Sequence, residues 1–398
     1  MTEWKKIKIS DIAEVIGGGT PSTKQSEYWG NDIPWLTPKD LSGYNKRYIS
    51  NGERNISNEG LKNSSARMLP VGSILLTSRA PIGYLAIAEQ DLCTNQGFKS
   101  LVLKPGNDSE FFYYLLKNNI EYIINMSSGS TFAEISGTQV KNLEFNIPDL
   151  ITQQKIAKVL SAIDDKIELN NAINNNLEQQ IKALYNHCFT DKNNVVEISN
   201  LIDVRDGTHD SPKPQFEGKK LITSKHLLKY GVDISSANFI TEEDYQKINE
   251  RSLVATDDIL ISMIGTVGIV SYIIENPVDF AVKNVGIYRT SQKKEYAYYV
   301  HCFLNSTETQ NYILSHLAGT TQKYISLSEL RTLKINVPNQ NELKAFNKLM
   351  EPIYNNLISN TNENIRLVQL RDTLLPKLMS GEIDVDKVEV SLFSEDLQ

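Results

Sequence analysis

Residues 151–188 read ITQQKIAKVLSAIDDKIELNNAINNNLEQQIKALYNHC, and this stretch decides the fold. Its positions 156, 160, 163, 167, 170, 174, 177, 181, 184 and 188 follow the alternating four- and three-residue spacing of a coiled-coil seam. Apolar residues occupy both ends of this seam, whereas Asn170 and Asn174 interrupt its centre. The pattern predicts one long helix with Thr152 as its N-cap.

The same seam recurs 190 residues later, where Asn360 and Asn364 interrupt its centre. A polar seam residue costs stability unless it meets a partner, and with a partner it fixes the register. Antiparallel packing brings the two asparagine pairs together, and parallel packing in matched register would do the same. Because a whole domain separates the helices, we expect antiparallel packing and a dumbbell, two globular heads held apart by a rod of roughly 50 Å.

The repeat extends beyond the helices. GSTFAEISGTQVKNLEFNIPD (129–149) aligns with GTTQKYISLSELRTLKINVPN (319–339), and SILLTSRAPIGYLAI (73–87) resembles DILISMIGTVGIVSY (258–272). The latter pair predicts one β-hairpin in each repeat. Residues 111–124 and 296–304 are predicted to form helices that pack beside these hairpins. We therefore predict an α+β fold, with two pseudo-symmetric mixed α/β domains separated by two long antiparallel coiled-coil helices.

Composition and charge narrow the class of protein. A chain of 398 residues suggests two or three domains, and 40% hydrophobic with 22% charged residues is typical of a soluble protein. The net charge of −7 excludes a uniformly basic nucleic-acid coat but allows a locally basic groove. We find neither a membrane-length apolar run nor a signal-peptide pattern, and we expect a cytoplasmic location. Cys93, Cys188 and Cys302 lack the number and spacing of a disulfide framework or a thiolate zinc site.

The sequence carries little that is typical of an active site. It has no phosphate-binding loop, nucleophile elbow or zinc-protease helix. Asp149, Asp164 and Lys166 superficially fit a metal-dependent nuclease, but we expect them on the outer faces of the coiled-coil helix. The adjacent His-Cys pairs at 187–188 and 301–302 have the wrong spacing for ligands on one helical face. We therefore predict no catalytic and no metal-ligating residue.

Charge and polar loop residues suggest a different role, the binding of DNA. Residues 1–104 contain 13 Lys and Arg against 10 Asp and Glu, whereas residues 191–290 contain 11 against 15. Basic side chains neutralise phosphates, and Asn, Gln and Arg can read base edges. Asn95-Gln96 and Lys283-Asn284, at the same place in the repeat, are candidate base readers, although such residues are equally typical of turns.

The candidate DNA contacts are polar, basic and aromatic loop residues of both repeats. They are Thr20, Lys24, Tyr28, Thr37, Lys39, Arg47, Ser78, Arg79, Asn95, Gln96, Thr131, Thr208, His209, Lys213, Ser224, Lys225, Lys229, Lys283, Asn284 and Thr321. Arg79 is equally typical of an ordinary surface charge. Trp29 and Trp35 are more typical of a core than of a base-stacking surface. The candidate register residues of the helices are Asn170, Asn174, Asn360 and Asn364.

Four segments resemble the specificity (S) subunit of Type I restriction–modification systems. They are GGGTPST (17–23), NIPDLITQQKIAKVLSAIDDKI (146–167), DGTHDSP (206–212) and LLPKLMSGEIDV (374–385). The likeness covers essentially the whole chain. It implies target recognition domains at 1–150 and 191–340, conserved spacer helices at 151–190 and 341–380, and a C-terminal tail at 381–398.

The resemblance also implies a function. Each domain would read half of a bipartite, asymmetric site in double-stranded DNA, and the helices would set the gap and dock two modification subunits. Those subunits would methylate adenine with S-adenosylmethionine, and restriction subunits would add translocation and cleavage with ATP and Mg²⁺. This chain would be non-catalytic and bind no cofactor and no membrane. A rod of roughly 50 Å matches about fifteen base pairs, and the acidic chain alone should bind DNA weakly.

Three alternatives stay open at this point. A stand-alone, two-headed DNA-binding regulator would need no modification subunit, but no helix-turn-helix pattern supports it. A scaffold that binds no DNA would gain nothing from unlike heads beside similar helices. A cryptic nuclease at Asp149, Asp164 and Lys166 would be exposed by alanine substitution.

Overall fold

The structure is a computed structural model that describes residues 4–128, 133–189 and 194–388. The chain forms two compact units. Unit 1 comprises Met1–Leu169 and Asn364–Gln398, and unit 2 comprises Asn170–Glu363. Among the helices in the described ranges, none is both long enough and apolar enough to span a bilayer.

Unit 1 is built on a mixed sheet with helices against it. Its strands are β1 (Lys5–Lys8), β2 (Ala13–Gly17), β3 (Trp29–Leu36), β4 (Tyr48–Ile49), β5 (Arg54–Ile56), β6 (Ile74–Ser78), β7 (Ile82–Ala88), β8 (Cys93–Thr94), β9 (Lys99–Leu103) and β10 (Glu144–Ile147). Its helices are α1 (Ile9–Ile12), α2 (Asn58–Lys62), α3 (Ser109–Asn118), α4 (Ile120–Asn125), α5 (Gly137–Lys141) and the first part of α6 (Leu150–Cys188). The sheets have the orders β2-β9-β6-β7-β4, β5-β3-β8 and β1-β10.

The core of unit 1 lies on both faces of β6. Ile74 and Leu76 pack with Phe111 and Phe112 of α3, whereas Leu75 packs with a second apolar cluster that covers the other face. Successive strand residues point to opposite faces, so a strand buried on both sides consists entirely of apolar and small residues. β6 and β7 pair antiparallel, which confirms the predicted hairpin.

Unit 2 repeats this topology. Its strands are β11 (Val195–Glu197), β12 (Val204–Asp206), β13 (Lys219–Ile222), β14 (Asn238–Ile240), β15 (Ile259–Ser262), β16 (Val270–Tyr272), β17 (Phe280–Val282), β18 (Val285–Tyr288) and β19 (Lys334–Asn336). Its helices are α7 (Ile198–Leu201), α8 (Glu242–Ser252), α9 (Ala297–Asn305), α10 (Thr307–Ser315), α11 (Leu327–Thr332) and the first part of α12 (Gln340–Met379). The sheet orders β12-β18-β15-β16, β14-β13-β17 and β11-β19 correspond to those of unit 1, which confirms the duplication. The edge strand β4 of unit 1 is replaced by an isolated parallel bridge between Tyr230 and Tyr272.

The predicted N-cap of the first long helix is wrong by three residues. α6 begins at Leu150, and the Asp149 carboxylate accepts a hydrogen bond from the Thr152 backbone N–H at 3.0 Å. Asp149 is therefore the N-cap, because an acidic side chain there satisfies a free N–H group and suits the positive end of the helix. These hydrogen bonds lower the pKa of Asp149.

The seam prediction is confirmed. Its positions are buried or half-buried along both long helices, except Cys188 at the end of α6, which is exposed. Within unit 2, the Asn360 amide donates to the Asn174 Oδ1 at 2.8 Å, so these asparagines face each other as predicted. Asn170 is buried and donates to Glu363 at 2.7 Å, a partner that the seam pattern did not predict. Because the earlier residue of α6 contacts the later residue of α12, the two helices run antiparallel there.

Within unit 1, α6 packs against the last part of α12. The Arg371 guanidinium donates to Asp164 at 2.8 Å, and the Tyr114 hydroxyl donates to the other Asp164 oxygen at 2.7 Å. Asp164 is 5% exposed. The expectation that Asp164 lies on the outer face is therefore wrong, because its carboxylate is the buried acceptor for two donors.

Candidate nucleic-acid interface

In unit 1, a glycine pair places three of the candidate residues together. The Gly19 backbone N–H donates to the Thr94 carbonyl at 2.9 Å, and a Cβ on Gly18 would lie 2.1 Å from the Asn95 carbonyl. Only glycine lets the two backbone segments approach this closely. The contact brings the exposed Thr20 hydroxyl onto the Gln96 side-chain oxygen. We call Thr20, Asn95 and Gln96 cluster 1.

In unit 2, the corresponding turn carries a second group of candidate residues. The Thr208 N–H donates to the Val282 carbonyl at 3.0 Å, and His209 Nδ1 lies 2.8 Å from Asn284 Oδ1. The Lys283 ammonium donates to the Ser211 hydroxyl. We call Thr208, His209, Lys283 and Asn284 cluster 2.

Each cluster is held by contacts that orient its side chains. Asn95 Oδ1 accepts from the Gly97 N–H at 2.8 Å, a turn contact that fixes the Asn95 amide. His209 Nε2 lies 2.9 Å from the Asp206 carboxylate, which also accepts from Arg251 at 2.8 Å. The sequence left open whether these residues form turns or face a ligand at the surface. In the structure, the clusters make turn contacts and also lie at the surface.

An open cavity lies beside the corresponding hairpin turn of each unit. In unit 1 it is lined by Arg79, Ala80, Pro81, Ile82, Ile124, Ala133 and Glu134. In unit 2 it is lined by Thr223, Ser224, Lys225, Ile264, Gly265, Thr266, Ile269, Asn284 and Gln322. Arg79 forms an ion pair with Glu134 at 3.6 Å, and Lys99, which was not among the candidates, pairs with the same carboxylate at 3.6 Å. Ser224 and Lys225 line the unit 2 cavity together with Asn284, so they lie beside cluster 2.

Two candidates do not fit a DNA contact, and they are corrections to the predicted set. Arg47 is 4% exposed and bonded to Glu110, Asp165 and Glu168. Burial alone lowers its pKa, but Tyr114 and these carboxylates more than offset that, so the pKa is raised and the guanidinium stays charged. Ser78 is completely buried at the end of β6. Neither side chain can reach a nucleic acid.

Three other candidates have a protein partner. Thr37 donates to Asp40 at 2.7 Å and begins a short 3-10 helix, Pro38–Leu41. Lys39 is bonded to Glu53 at 2.7 Å, and this hydrogen bond raises the pKa of Lys39. Lys229 is paired with Glu178 of α6 at 2.5 Å. These exposed or half-buried ion pairs are weak, and a phosphate could compete for either lysine.

The remaining candidates lie on the surface of their units. Lys24, Lys213, Lys225 and Thr321 are exposed, and Tyr28 is half-buried. Thr131 lies outside the described residues. Trp35 is buried and its indole N–H donates to the Gly19 carbonyl at 2.9 Å, which confirms its interpretation as a core residue. Trp29 packs edge-on against Trp35 with ring centroids 5.2 Å apart.

Sequence reasoning missed several residues that shape this surface. Arg54 lies 3.7 Å over the ring of Trp29, and Arg251 supports cluster 2 through Asp206. Asp206 is the first residue of the DGTHDSP segment, so the motif pointed to it, but its partner Arg251 lies 45 residues further along the chain. Phe216 is fully exposed in the loop between β12 and β13. The sequence signal for it was a large hydrophobic side chain within a loop.

Both carboxylates of the nuclease alternative have structural roles. Asp149 caps α6, and Asp164 is the buried partner of Arg371 and Tyr114. Across the part of the chain that the structure describes, no group of three His, Cys, Asp or Glu side chains could hold a metal ion.

Comparison with known proteins gives a consistent result. The sequence model of the family described as "Type I restriction modification DNA specificity domain" matches residues 1–179 and again residues 193–368. The specificity subunit of Type I restriction enzyme MjaIX from Methanocaldococcus jannaschii is 39% identical, over 97% of this chain and 95% of that protein. The HindI specificity subunit from Haemophilus influenzae is 25% identical, over 96% and 100% of the two chains.

A solved structure shares the fold. The crystal structure of the Type-I restriction-modification system S subunit from M. genitalium superimposes with a TM-score of 0.58 at 18% identity. The match covers 95% of this chain and 96% of that one.

Proposed function

The chain belongs to the Type I restriction modification DNA specificity family, and on that premise we propose how it serves as the DNA recognition subunit of a restriction–modification complex. Each unit reads one half of a bipartite, asymmetric site in double-stranded DNA. Cluster 1 reads the half bound by unit 1, and cluster 2 reads the half bound by unit 2.

One observation carries this proposal: equivalent turns of the two units present different side chains. Both clusters contain a threonine hydroxyl, but cluster 1 adds two amides, whereas cluster 2 adds an ammonium, an imidazole and one amide. An Asn or Gln amide suits adenine in the major groove, and a Lys suits guanine. Two unlike clusters on one fold are what an asymmetric site requires, because identical readers would select a repeated or palindromic half-site.

The long helices have two roles in the proposal. α6 contains 39 residues, which corresponds to about 58 Å of helix. Helices of this length set the gap between the half-sites and dock two modification subunits. Those subunits bring S-adenosylmethionine and methylate adenine, while restriction subunits bring ATP- and Mg²⁺-dependent translocation and cleavage. This chain contributes recognition and assembly, and it catalyses no step.

The acidity of the chain shapes its DNA affinity. With a net charge of −7, the chain repels the phosphate backbone at long range. We propose that the isolated chain binds DNA weakly and that the complex binds firmly once the modification subunits add positive surface. Tight, salt-resistant binding by the isolated chain would contradict this part of the proposal.

The experiment that tests the function is co-expression with a cognate modification subunit, followed by mapping of methylated adenines in the host genome. A bipartite, non-palindromic motif with one fixed gap is the expected result. A stable complex without new methylation would favour the scaffold. Binding of specific duplexes by the chain alone, without any effect of the modification subunit, would favour the two-headed regulator.

A further inference from the structure

Phe216 is the most exposed large apolar side chain among the described residues, with a relative exposure of 104%. Burying a phenylalanine side chain is worth about 2 kcal/mol, so a fully exposed one gives up stabilisation that a packed position would supply. Unit 1 differs here, because the aromatic residues where its corresponding loop meets β3 are partly covered. Tyr28 is half-buried, and Trp29 packs against Trp35 and Arg54.

The loop that carries Phe216 is held firmly at its far end. The Gln215 N–H donates to the Phe239 carbonyl of β14 at 2.9 Å, and the Lys220 ammonium lies 3.7 Å from the ring of Phe239. Pro212 and Pro214 restrict the backbone just before it. Phe216 is therefore presented to solvent on a stiff support, and its binding to a partner would cost little conformational entropy.

The same loop begins in cluster 2. It leaves β12 at Asp206, passes through Thr208 and His209, and is tied to Lys283 through the Ser211 hydroxyl. Gln215 pairs with Phe239 of β14, and the register continues through β13 to Phe280 of β17, so Phe216 lies about three strand spacings, or about 14 Å, across the sheet from Phe280. The turn after β17 begins at Lys283, about 10 Å further along the strand, so Phe216 lies about 17 Å from this turn. That distance corresponds to about five base pairs of duplex.

The charge around the loop is mixed. Lys213 is exposed three residues before Phe216 and can approach a phosphate, whereas Lys219 at the start of β13 is paired with Asp279 at 2.6 Å and Glu217 lies next to Phe216. Apolar wedges that enter the minor groove and open a base step are commonly Phe or Leu side chains, so the wedge rests on the exposed ring and not on the local charge.

From these observations we propose that Phe216 inserts between base pairs about five base pairs from the bases read by cluster 2 and kinks the half-site bound by unit 2 at its edge. This inference rests on the proposed function and adds a contact that reads deformability of the DNA. A step that unstacks easily, such as TA or CA, is favoured at that position. The two half-sites would then be recognised by different means, since unit 1 keeps its loop aromatic packed.

The test uses the complex of this chain with its modification subunit and the motif that genome mapping returns. Duplexes carry one 2-aminopurine, moved step by step through the half-site of unit 2 and kept away from the methylated adenine. The variants are Phe216→Ala and Phe216→Leu. Leu314→Ala, at a leucine that is 58% exposed on α10, is the matched control. Both residues that the three variants change are exposed, so folding is not at risk.

We expect the wild-type complex to raise 2-aminopurine fluorescence at one step. Phe216→Ala should abolish that signal and weaken binding about tenfold, which is within the range measured for loss of an aromatic stacked on a base. Phe216→Leu should keep most of both, and Leu314→Ala should behave as wild type.

Several results would overturn the wedge. Unchanged affinity and fluorescence with Phe216→Ala, while the methylated motif persists, would reject the wedge and leave the proposed function intact. Loss of assembly with the modification subunit would identify Phe216 as a protein contact. Absence of any bipartite motif in the wild type would reject the proposed function and the wedge together.

Discussion

In each unit a short helix contacts a long helix at an equivalent place, but the contacting side chains differ. We call this contact the charged junction in unit 1 and the aromatic junction in unit 2. In unit 1, Tyr114 of α3 and Arg371 of α12 both bond to Asp164 of α6. In unit 2, His301 of α9 lies 2.6 Å from the Tyr354 hydroxyl of α12. Asp164 and Tyr354 are 190 residues apart, so they occupy the same position of the repeat.

The neighbouring residues differ in the same way, because they are charged in unit 1 and apolar or aromatic in unit 2. Arg371 of unit 1 corresponds to Ile181 of unit 2, so a buried ion pair is replaced by an apolar contact. Tyr354 stacks on Tyr298 with ring centroids 4.3 Å apart. The same position of the duplicated fold thus holds a paired charged network in one unit and an aromatic cluster in the other. A buried charge without its partner would destabilise either unit.

The largest expected effect is at the aromatic junction. Tyr354→Ala removes a completely buried ring that contacts Tyr298 and Tyr272, and it should lower the stability of unit 2 by about 4 kcal/mol. Hydrogen exchange in peptides from α9 should accelerate far more than in peptides from α3. Equal acceleration in both helices would show that the two junctions are not independent.

The charged junction should show a somewhat smaller loss. Asp164→Ala leaves the Arg371 guanidinium and the Tyr114 hydroxyl without their acceptor, which should cost about 3 kcal/mol. Trp4, Trp29 and Trp35, the three tryptophans of the chain, all lie in unit 1, so tryptophan fluorescence during urea unfolding reports this unit. Lys158→Ala, at an exposed position of α6, is the control.

A second variant makes the comparison sharper. Asp164→Tyr with Arg371→Ile copies the unit 2 residues into unit 1 and should recover more than half of the lost stability, because no buried charge is left without a partner. If the double variant is as unstable as Asp164→Ala, the two junctions are not interchangeable.

The junctions should also differ in their response to acid. Burial lowers the pKa of His301 from 6.5 to about 3. The neutral imidazole therefore stabilises unit 2 fully above pH 6.5, and this contribution is lost as the pH falls from 6.5 towards 3. At pH 5.5 the loss should be about 1.4 kcal/mol.

The measurement for this prediction is the difference between wild type and His301→Gln. Burial also raises the pKa values of Asp258 and Glu275 and lowers that of His226, and these effects cancel in the difference. The wild type should lose more stability than the variant between pH 7 and 5.5. Parallel pH profiles would contradict the buried, neutral histidine.

The smallest effect is expected at the seam asparagines. Replacing both Asn174 and Asn360 by leucine removes the hydrogen bond across the unit 2 helices and adds apolar contact, which should raise stability by about 1 kcal/mol. The same change should loosen the helix register. Scattering and assembly with the modification subunit would reveal this, and unchanged results in both would contradict the register role.

The seam and the hairpins could be predicted because their signals are local, and the duplication could be predicted because the two repeats keep matching residues 190 positions apart. A 4-3 spacing or an alternation of apolar residues fixes which side of an element faces the core, wherever that core comes from. The N-cap of α6 was misplaced because Thr152 and Asp149 are both good capping residues. The inward position of Asp164 could not be read locally, since its partner Arg371 lies 207 residues away.

The candidate interface was predictable only in part, for the same reason. The DGTHDSP segment and the Asn95-Gln96 pair pointed to Thr208, His209 and Asn95, which the structure places in the two clusters. Arg47 looked like a free cation because two of its acidic partners are 118 and 121 residues away, on α6. Whether a basic loop residue faces solvent or a carboxylate is decided by tertiary packing, which residue type does not encode.

The central claim is that each unit reads its own half of the DNA site through its own cluster. The most direct test maps methylated adenines for the wild-type complex and for complexes carrying Asn284→Ala or Asn95→Ala. We predict that Asn284→Ala relaxes or changes one half of the motif, that Asn95→Ala does so for the other half, and that the gap stays constant. Changes in both halves from either substitution, or a motif untouched by both, would contradict the claim.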